Sequence, residues 1–291
     1  MVTAAEIRNV LRKTIKQANV IGIAAGAKAT ARIPTTGTHY ALFLRCLTAA
    51  GVALTRAQMI ADVGNIVVRI NGKQILEGTA TFFLDRQKYY SDAVNADNVS
   101  GIIPIFFPLP SLESDPERRV LGWGMLGVDS FEVEVNILGV AQLASMEVYS
   151  EVSDEQRTFG RHIRIRKFPQ VFGVTGLQEI QTLAREDGAV DYLALHIETP
   201  GASTITKTSV KVNNVSIIDQ EPIDMNQVRL EAAYRNPQAG YYHIDFGLRN
   251  DLGAVLPMAG VTDWRQEITW ATAAPNNYNI YAEMVYNDLG R

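Results

Sequence analysis

The sequence has a single cysteine, no long hydrophobic run and no surplus of positive charge, and each absence removes a class of protein. Cys46 can form no internal disulfide and has no second thiol from which to build a zinc site. Lying in the apolar run 40–46, it reads as a buried, inert thiol. The most apolar windows, 40–54 and 101–110, fall short of the roughly 20 residues a spanning helix needs, and Arg45 interrupts the first. Glu6, Arg8, Arg12, Lys13 and Lys16 break the apolar continuity that a secretion signal would require, so folding in a reducing cytoplasm is expected. A net charge of −4 provides no general attraction to a phosphate backbone, and direct nucleic-acid binding is not expected.

Catalytic signatures are missing as well. There is no Gly-rich loop followed by Lys-Ser or Lys-Thr to cradle phosphates, and no Gly-x-Ser-x-Gly elbow to present a nucleophile. His39, His162, His196 and His243 stand singly, without the spacing that puts two imidazoles on one metal. Carboxylates gather at Glu113, Asp115 and Glu117 and at Asp154 and Glu155. They could hold calcium, but read more simply as solvated loops. Asn98-Val99-Ser100 and Asn214-Val215-Ser216 match glycosylation acceptors and are treated as turns. Trp123, Trp264 and Trp270 read as core anchors rather than a sugar-stacking set. No catalytic or cofactor-binding residue is assigned, and the identity of any metal ligand stays open.

What is present is apolar content of 47%, ample for hydrophobic cores, in a chain of 291 residues that is long enough for two domains. Residues 3–17 place Ile7, Val10, Leu11 and Ile15 at helical spacing among basic residues, predicting an amphipathic N-terminal helix. Beyond it the period becomes two. Phe131, Val133, Val135 and Ile137 alternate with Glu132, Glu134 and Asn136, and Ile163 and Ile165 alternate with Arg164 and Arg166. Leu193, Leu195 and Ile197 alternate likewise with Tyr192, Ala194 and His196, as do Tyr242, Ile244, Phe246 and Leu248 with their neighbours. Many short strands between Gly, Pro, Asn and Asp clusters indicate an all-β protein of sandwich or barrel type.

The strands repeat. Val68-Arg69-Ile70-Asn71-Gly72 returns as Val210-Lys211-Val212-Asn213-Asn214, each reading as strand, tight turn and strand. A helix-compatible stretch follows each, from Asp85 and from Glu221-Pro222. Residues 101–107 then match 240–246, Phe131-Glu132-Val133 matches Gln266-Glu267-Ile268, and Val148-Tyr149 matches Val285-Tyr286. The expectation is an arm over 1–17, one β-domain over 18–156 and its duplicate over 157–291, with the polar segment 153–160 between them.

With Arg69-Ile70-Asn71-Gly72 and its copy Lys211-Val212-Asn213-Asn214 in this strand order, the chain resembles the double-jelly-roll major capsid proteins of icosahedral, membrane-containing bacteriophages, the corticovirus coat proteins in particular. The resemblance spans nearly the whole chain and rests on pattern and order rather than on one diagnostic motif. It implies two tandem jelly-roll sandwiches with short helices between strands. It also implies a homotrimer forming a pseudo-hexagonal capsomer of the virion, and contacts with neighbouring capsomers, penton and minor capsid proteins. The shell would surround an internal membrane, with the N-terminal arm on lipid or docked on its own or a neighbouring subunit, and calcium in some shells. Two other readings stand beside it: a bicupin metalloenzyme, which needs histidine and carboxylate clusters inside a barrel, and a two-domain carbohydrate-binding or adhesion protein using the loop 109–123.

Overall fold

The computed structural model describes all residues except 1–10, 91–100, 110–119, 182, 184–189, 200, 202–203, 249–251, 272–276 and 287–291. Two compact units divide between Arg164 and Ile165. In the first unit the strands are β1 (Arg12–Lys16), β2 (Lys28–Arg32), β3 (Thr38–Leu47), β4 (Val63–Ile70), β5 (Lys73–Thr79), β6 (Ile102–Phe106), β7 (Trp123–Gly124), β8 (Phe131–Ile137) and β9 (Ser145–Ser153). Helix α1 (Arg56–Asp62) precedes β4, and α2 (Ala80–Tyr90) follows β5. The second unit comprises β10 (His162–Gln170), which starts just ahead of the division, β11 (Gly176–Ile180), β12 (Val190–Glu198), β13 (Ile205–Val212) and β14 (Val215–Pro222). After α3 (Ile223–Ala232) come β15 (Tyr241–Asp245), β16 (Leu256–Pro257), β17 (Trp264–Trp270) and β18 (Tyr278–Tyr286).

Strand order carries the argument. In the first unit one sheet runs β1-β9-β3-β6, with β7 beside β3, and the other runs β5-β4-β8-β2. In the second the orders are β10-β18-β12-β15, with β16 beside β12, and β14-β13-β17-β11. Each strand of one unit thus has a counterpart in the other, and each unit is an antiparallel jelly-roll sandwich. The alternation of β8 is the simplest case: Phe131, Val133, Val135 and Ile137 are buried, while Glu132, Glu134 and Asn136 are only partly so. In the second unit Tyr192, Leu195, Ile197, Tyr242, Ile244, Trp264, Ile268, Trp270, Ile280 and Met284 form one core.

The N-terminal helix expected over 3–17 is not what the described residues form. Arg12–Lys16 is strand β1, paired with β9 from Arg12↔Ser153 to Lys16↔Tyr149. The physical reason is tertiary. β9 presents Glu147, Glu151 and then Asp154, and Arg12, Lys13 and Lys16 pair with Glu151, Asp154 and Glu147. The Arg12 guanidinium also lies 4.0 Å from the centre of the Tyr40 ring. Residues 3–10 of the expected helix lie outside the described residues.

Strand β12 also departs from simple alternation. Its register against β18 shifts between Tyr192 and Ala194, so Tyr192 and Leu195 both face the core although their positions have opposite parity. A bulge moves side chains to the opposite face from there on. Leu193 and His196 are buried too, so this strand is dry on both faces.

Candidate functional site

The two turns singled out by the repeat are built alike. Asn71 (φ 49°) and Gly72 (φ 75°) connect β4 to β5, and Asn213 (φ 48°) and Asn214 (φ 62°) connect β13 to β14. Two successive left-handed residues give the type I′ hairpin turn that suits twisted antiparallel strands, which is why Asn and Gly occupy these places. The asparagine side chain then clamps the segment ahead of the next paired strand. Asn71 Oδ1 accepts hydrogen bonds from the backbone N–H groups of Asp129 (2.8 Å) and Ser130 (3.1 Å). Asn213 Oδ1 accepts from those of Thr262 (2.7 Å) and Asp263 (3.0 Å). Each asparagine also donates its own N–H, to Ser130 O and Asp263 O respectively, at 2.9 Å in both cases. Just before the turns, Arg69 pairs with Glu134 at 3.1 Å and Lys211 with Glu267 at 2.9 Å, the same diagonal contact in each sandwich.

The helices after the hairpins repeat a second device. Arg86 of α2 donates to Phe106 O (3.0 Å) at the end of β6, and Arg229 of α3 donates to Asp245 O (3.3 Å) at the end of β15. In the strands the correspondence is exact in order but not always in residue register. The structure sets Phe131 against Ile70 and Trp264 against Val212, which aligns Phe131 with Trp264 rather than with Gln266. Ser150 pairs with Leu42 and Ala282 with Leu195, which puts Tyr149 opposite Tyr281 of the copy rather than Tyr286. β-strand sequences draw on few residue types, so apolar alternation identifies a strand more securely than its register.

The histidines do not all stand apart. His196 on β12 and His243 on β15 are a directly paired cross-strand couple, with Nδ1 to Nδ1 at 2.7 Å. His196 Nε2 lies 3.0 Å from Glu283 Oε1 on β18. The Gln238 backbone N–H donates to His243 Nε2 (3.1 Å), so that nitrogen is an acceptor. Donor and acceptor accounting then makes His243 Nδ1–H the donor to His196 Nδ1, and His196 Nε2–H the donor to the Glu283 carboxylate. Burial and the neighbouring His196 hold His243 well below the usual imidazole range, consistent with a neutral His243 ring. No local spacing points to this cluster, because the three residues come from separate strands and meet only through the sheet order. Their neighbours Ile197, Ile244, Ala282 and Met284 face the core, so the cluster lies on the opposite face of the sheet, not inside a barrel as a cupin site would. Among the described residues no group of three or more His, Cys, Asp or Glu side chains is arranged to hold a metal ion.

The remaining candidates are placed individually. His39 meets the Ser150 hydroxyl and Thr36 O, and burial lowers its pKa to about 4. His162 Nδ1 lies 2.8 Å from Gly160 O. The Cys46 thiol is buried and pushed up to about 12, the behaviour of an inert thiol. Trp123 stacks on Phe107 at 3.8 Å, Trp264 stacks on Tyr192 at 5.4 Å, and the Trp270 indole N–H donates to Gln178 (3.2 Å), so all three are core anchors. Asp154 pairs with Lys13. Glu113, Asp115, Glu117 and Asn98 lie outside the described residues, as does most of the loop 109–123.

Two successive jelly rolls with the same clamps, helices and strand order define the class: a double-jelly-roll capsid protein, a structural protein of the virion. The models for the viral coat protein P2 N-terminal domain and the viral coat protein P2 C-terminal domain match residues 14–153 and 163–287, and the chain belongs to that family. Among solved structures it is similar to the major capsid protein P2 from bacteriophage PM2, with a TM-score of 0.80 and 17% identity over 95% of this chain and 97% of that one. A chain from the atomic structure of Sulfolobus Turreted Icosahedral Virus gives a TM-score of 0.64 at 11% identity, covering 96% of this chain and 91% of that one. The PBCV-1 virus capsid gives 0.62 at 12%, covering 96% and 95%. No curated relative matches in sequence. Neither the bicupin nor the carbohydrate-binding reading finds support in these comparisons.

Proposed function

We propose that three copies of this chain form the capsomer of an icosahedral shell that encloses an internal membrane. The observation that supports it is the duplication itself. Three copies of two like sandwiches offer six similar lateral units, so a trimer can fill a pseudo-hexagonal position in a closed lattice. Neighbouring capsomers, penton and minor capsid proteins are the partners this reading requires, and the subunit folds in the host cytoplasm before assembly. The N-terminal segment is the part assigned to the lipid or to an adjacent subunit. Because β1 belongs to the first sandwich, that assignment rests on residues 1–10 and not on the whole of 1–17.

Native mass spectrometry of the purified protein tests the stoichiometry. A species near 96 kDa, three times 32.1 kDa, supports the trimer, and a monomer or dimer at micromolar concentration refutes it. Deleting residues 1–10 is expected to leave folded subunits that attach poorly to lipid or assemble poorly. Normal membrane-containing particles from that deletion would remove the arm from the reading.

A further inference from the structure

His196 and His243 have no imidazole counterparts in the first sandwich. Arg86 and Arg229 cap Phe106 and Asp245, so Pro104, two residues before Phe106, stands at the place of His243. Its cross-strand partner is Phe43, where the second sandwich has His196. A jelly roll of this design therefore closes without imidazoles at this register, and packing alone does not account for the pair. Its proton inventory does. Four ring nitrogens carry two protons: His196 Nε2–H faces Glu283 Oε1 at 3.0 Å, one proton lies between the two Nδ1 atoms at 2.7 Å, and His243 Nε2 accepts the Gln238 backbone N–H at 3.1 Å. The two Nδ1 atoms cannot both be protonated at that separation, so a third proton on the pair has one place to go, His243 Nε2. There it meets the Gln238 N–H head on.

The strand cannot retreat from that encounter. β15 is pinned by its register with β12 and by Asn226 of α3, which donates to His243 O (3.0 Å) and to Glu221 (2.9 Å). The segment 236–239 is freer. Its flanks are held, by Arg235 on Asp245 (2.7 Å) and by the Thr199 N–H on Gly240 O (2.8 Å), while its own four residues are exposed or half-buried. His243 is 3% exposed but borders a cavity of about 360 Å³, lined also by Asn226 of α3 and by Gln238, which gives a proton a way in. The titratable and charged groups around the ring are His196 from β12, Glu283 from β18, Tyr241 stacked beside it on β15 and the paired Arg235 from the loop. From α3 comes the neutral Asn226, with the Glu221–Arg229 pair beyond it. We propose that the His196–His243 pair is an acid-released latch on segment 236–239: a third proton on the pair expels the Gln238 N–H and frees the segment while the sandwich stays folded.

Hydrogen exchange of the full chain, resolved to single residues by fragmentation and corrected for intrinsic exchange rates, tests the latch. With the segment released, the His243 ring titrates near pH 6.5, so each pH unit below that favours release about tenfold. The Gln238 amide should therefore exchange about 100-fold faster at pH 4.5 than at pH 7, while the amides of β12, which lies between β15 and β18, keep their protection. His243→Gln, whose amide oxygen can still accept the Gln238 N–H, should abolish that dependence. A Gln238 rate that does not change with pH overturns the latch. So does a parallel rise at β12, which would mean that the whole sandwich opens, and so does a pH dependence that survives in His243→Gln. The wild-type profile decides the matter even if the variant fails to fold.

Discussion

Gln266→Val should make the second sandwich more stable. Gln266 is fully buried on β17, on the same face as Trp264, Ile268 and Trp270, and neither its amide nitrogen nor its amide oxygen meets a hydrogen-bond partner. The first unit answers the same packing problem differently. Val133 faces Val68 where Gln266 faces Val210, so valine is the native solution at this register. An unpartnered buried amide costs about 1–3 kcal/mol, and valine is close to glutamine in volume, so little cavity cost offsets the gain. The expected gain is therefore about 1–3 kcal/mol, or a rise of roughly 3–10 °C in the midpoint of a domain this size. Tryptophan fluorescence during urea unfolding reads it out, because Trp264 and Trp270 lie in the second core and Trp123 in the first. The reciprocal Val133→Gln should lower the stability of the first unit by a comparable amount. A Gln266→Val midpoint equal to or below that of the wild type would show that the amide makes a productive interaction, and the reasoning would fail.

Three further outcomes can be checked with the same unfolding assays. Asn213→Ala removes the side-chain oxygen that accepts two backbone N–H groups and puts alanine, which lacks asparagine's tolerance of left-handed backbone, at φ 48°, so it should cost about 2–3 kcal/mol; Asn213→Gly restores the backbone freedom and should recover part of that loss. If alanine and glycine behave identically, the strain contribution is wrong. Val135→Asp puts an unpaired carboxylate at a site of zero exposure and should destabilise the first unit by several kcal/mol, and an unchanged melting temperature would refute the facing of β8. His39, lowered to about 4, and His243, held well below the usual imidazole range by burial, stay neutral in the folded chain, while the unfolded chain takes up their protons near pH 6.5. Stability should therefore be fully present above pH 6.5 and fall as pH drops from there towards 4, by up to about 1.4 kcal/mol per pH unit for each histidine. His39→Gln should flatten that slope, and an identical pH dependence would show that His39 does not contribute to it.

Much of the fold was legible because its signals are local. The Asn-Gly turn requires left-handed backbone at fixed positions, β8 needs only period two to be recognised, and the order of segments betrays the duplication. What was hidden depends on partners distant in sequence. Residues 12–16 have helical spacing, but pairing with Glu147, Glu151 and Asp154 makes them a strand. Nothing in the composition of β12 announces the bulge that turns its side chains over. His196, His243 and Glu283 become neighbours only when β12 pairs with both β15 and β18. The asparagine clamps were visible as turns but not as clamps, since Asp129, Ser130, Thr262 and Asp263 accept no special residue type: they contribute backbone N–H groups, which any sequence supplies.

The pairing of Arg12 with Ser153 means that the first sandwich begins and ends side by side. A unit whose two ends meet behaves as a cassette. It can be copied in tandem, or cut elsewhere and rejoined at its ends, without rethreading a strand, because the new junction spans almost no distance. Duplication of such a gene segment would have yielded a foldable product at once, and each copy could then drift independently. Met225 and Val228 on α3 are exposed while Phe82 and Asp85 on α2 are buried, a divergence within one polypeptide.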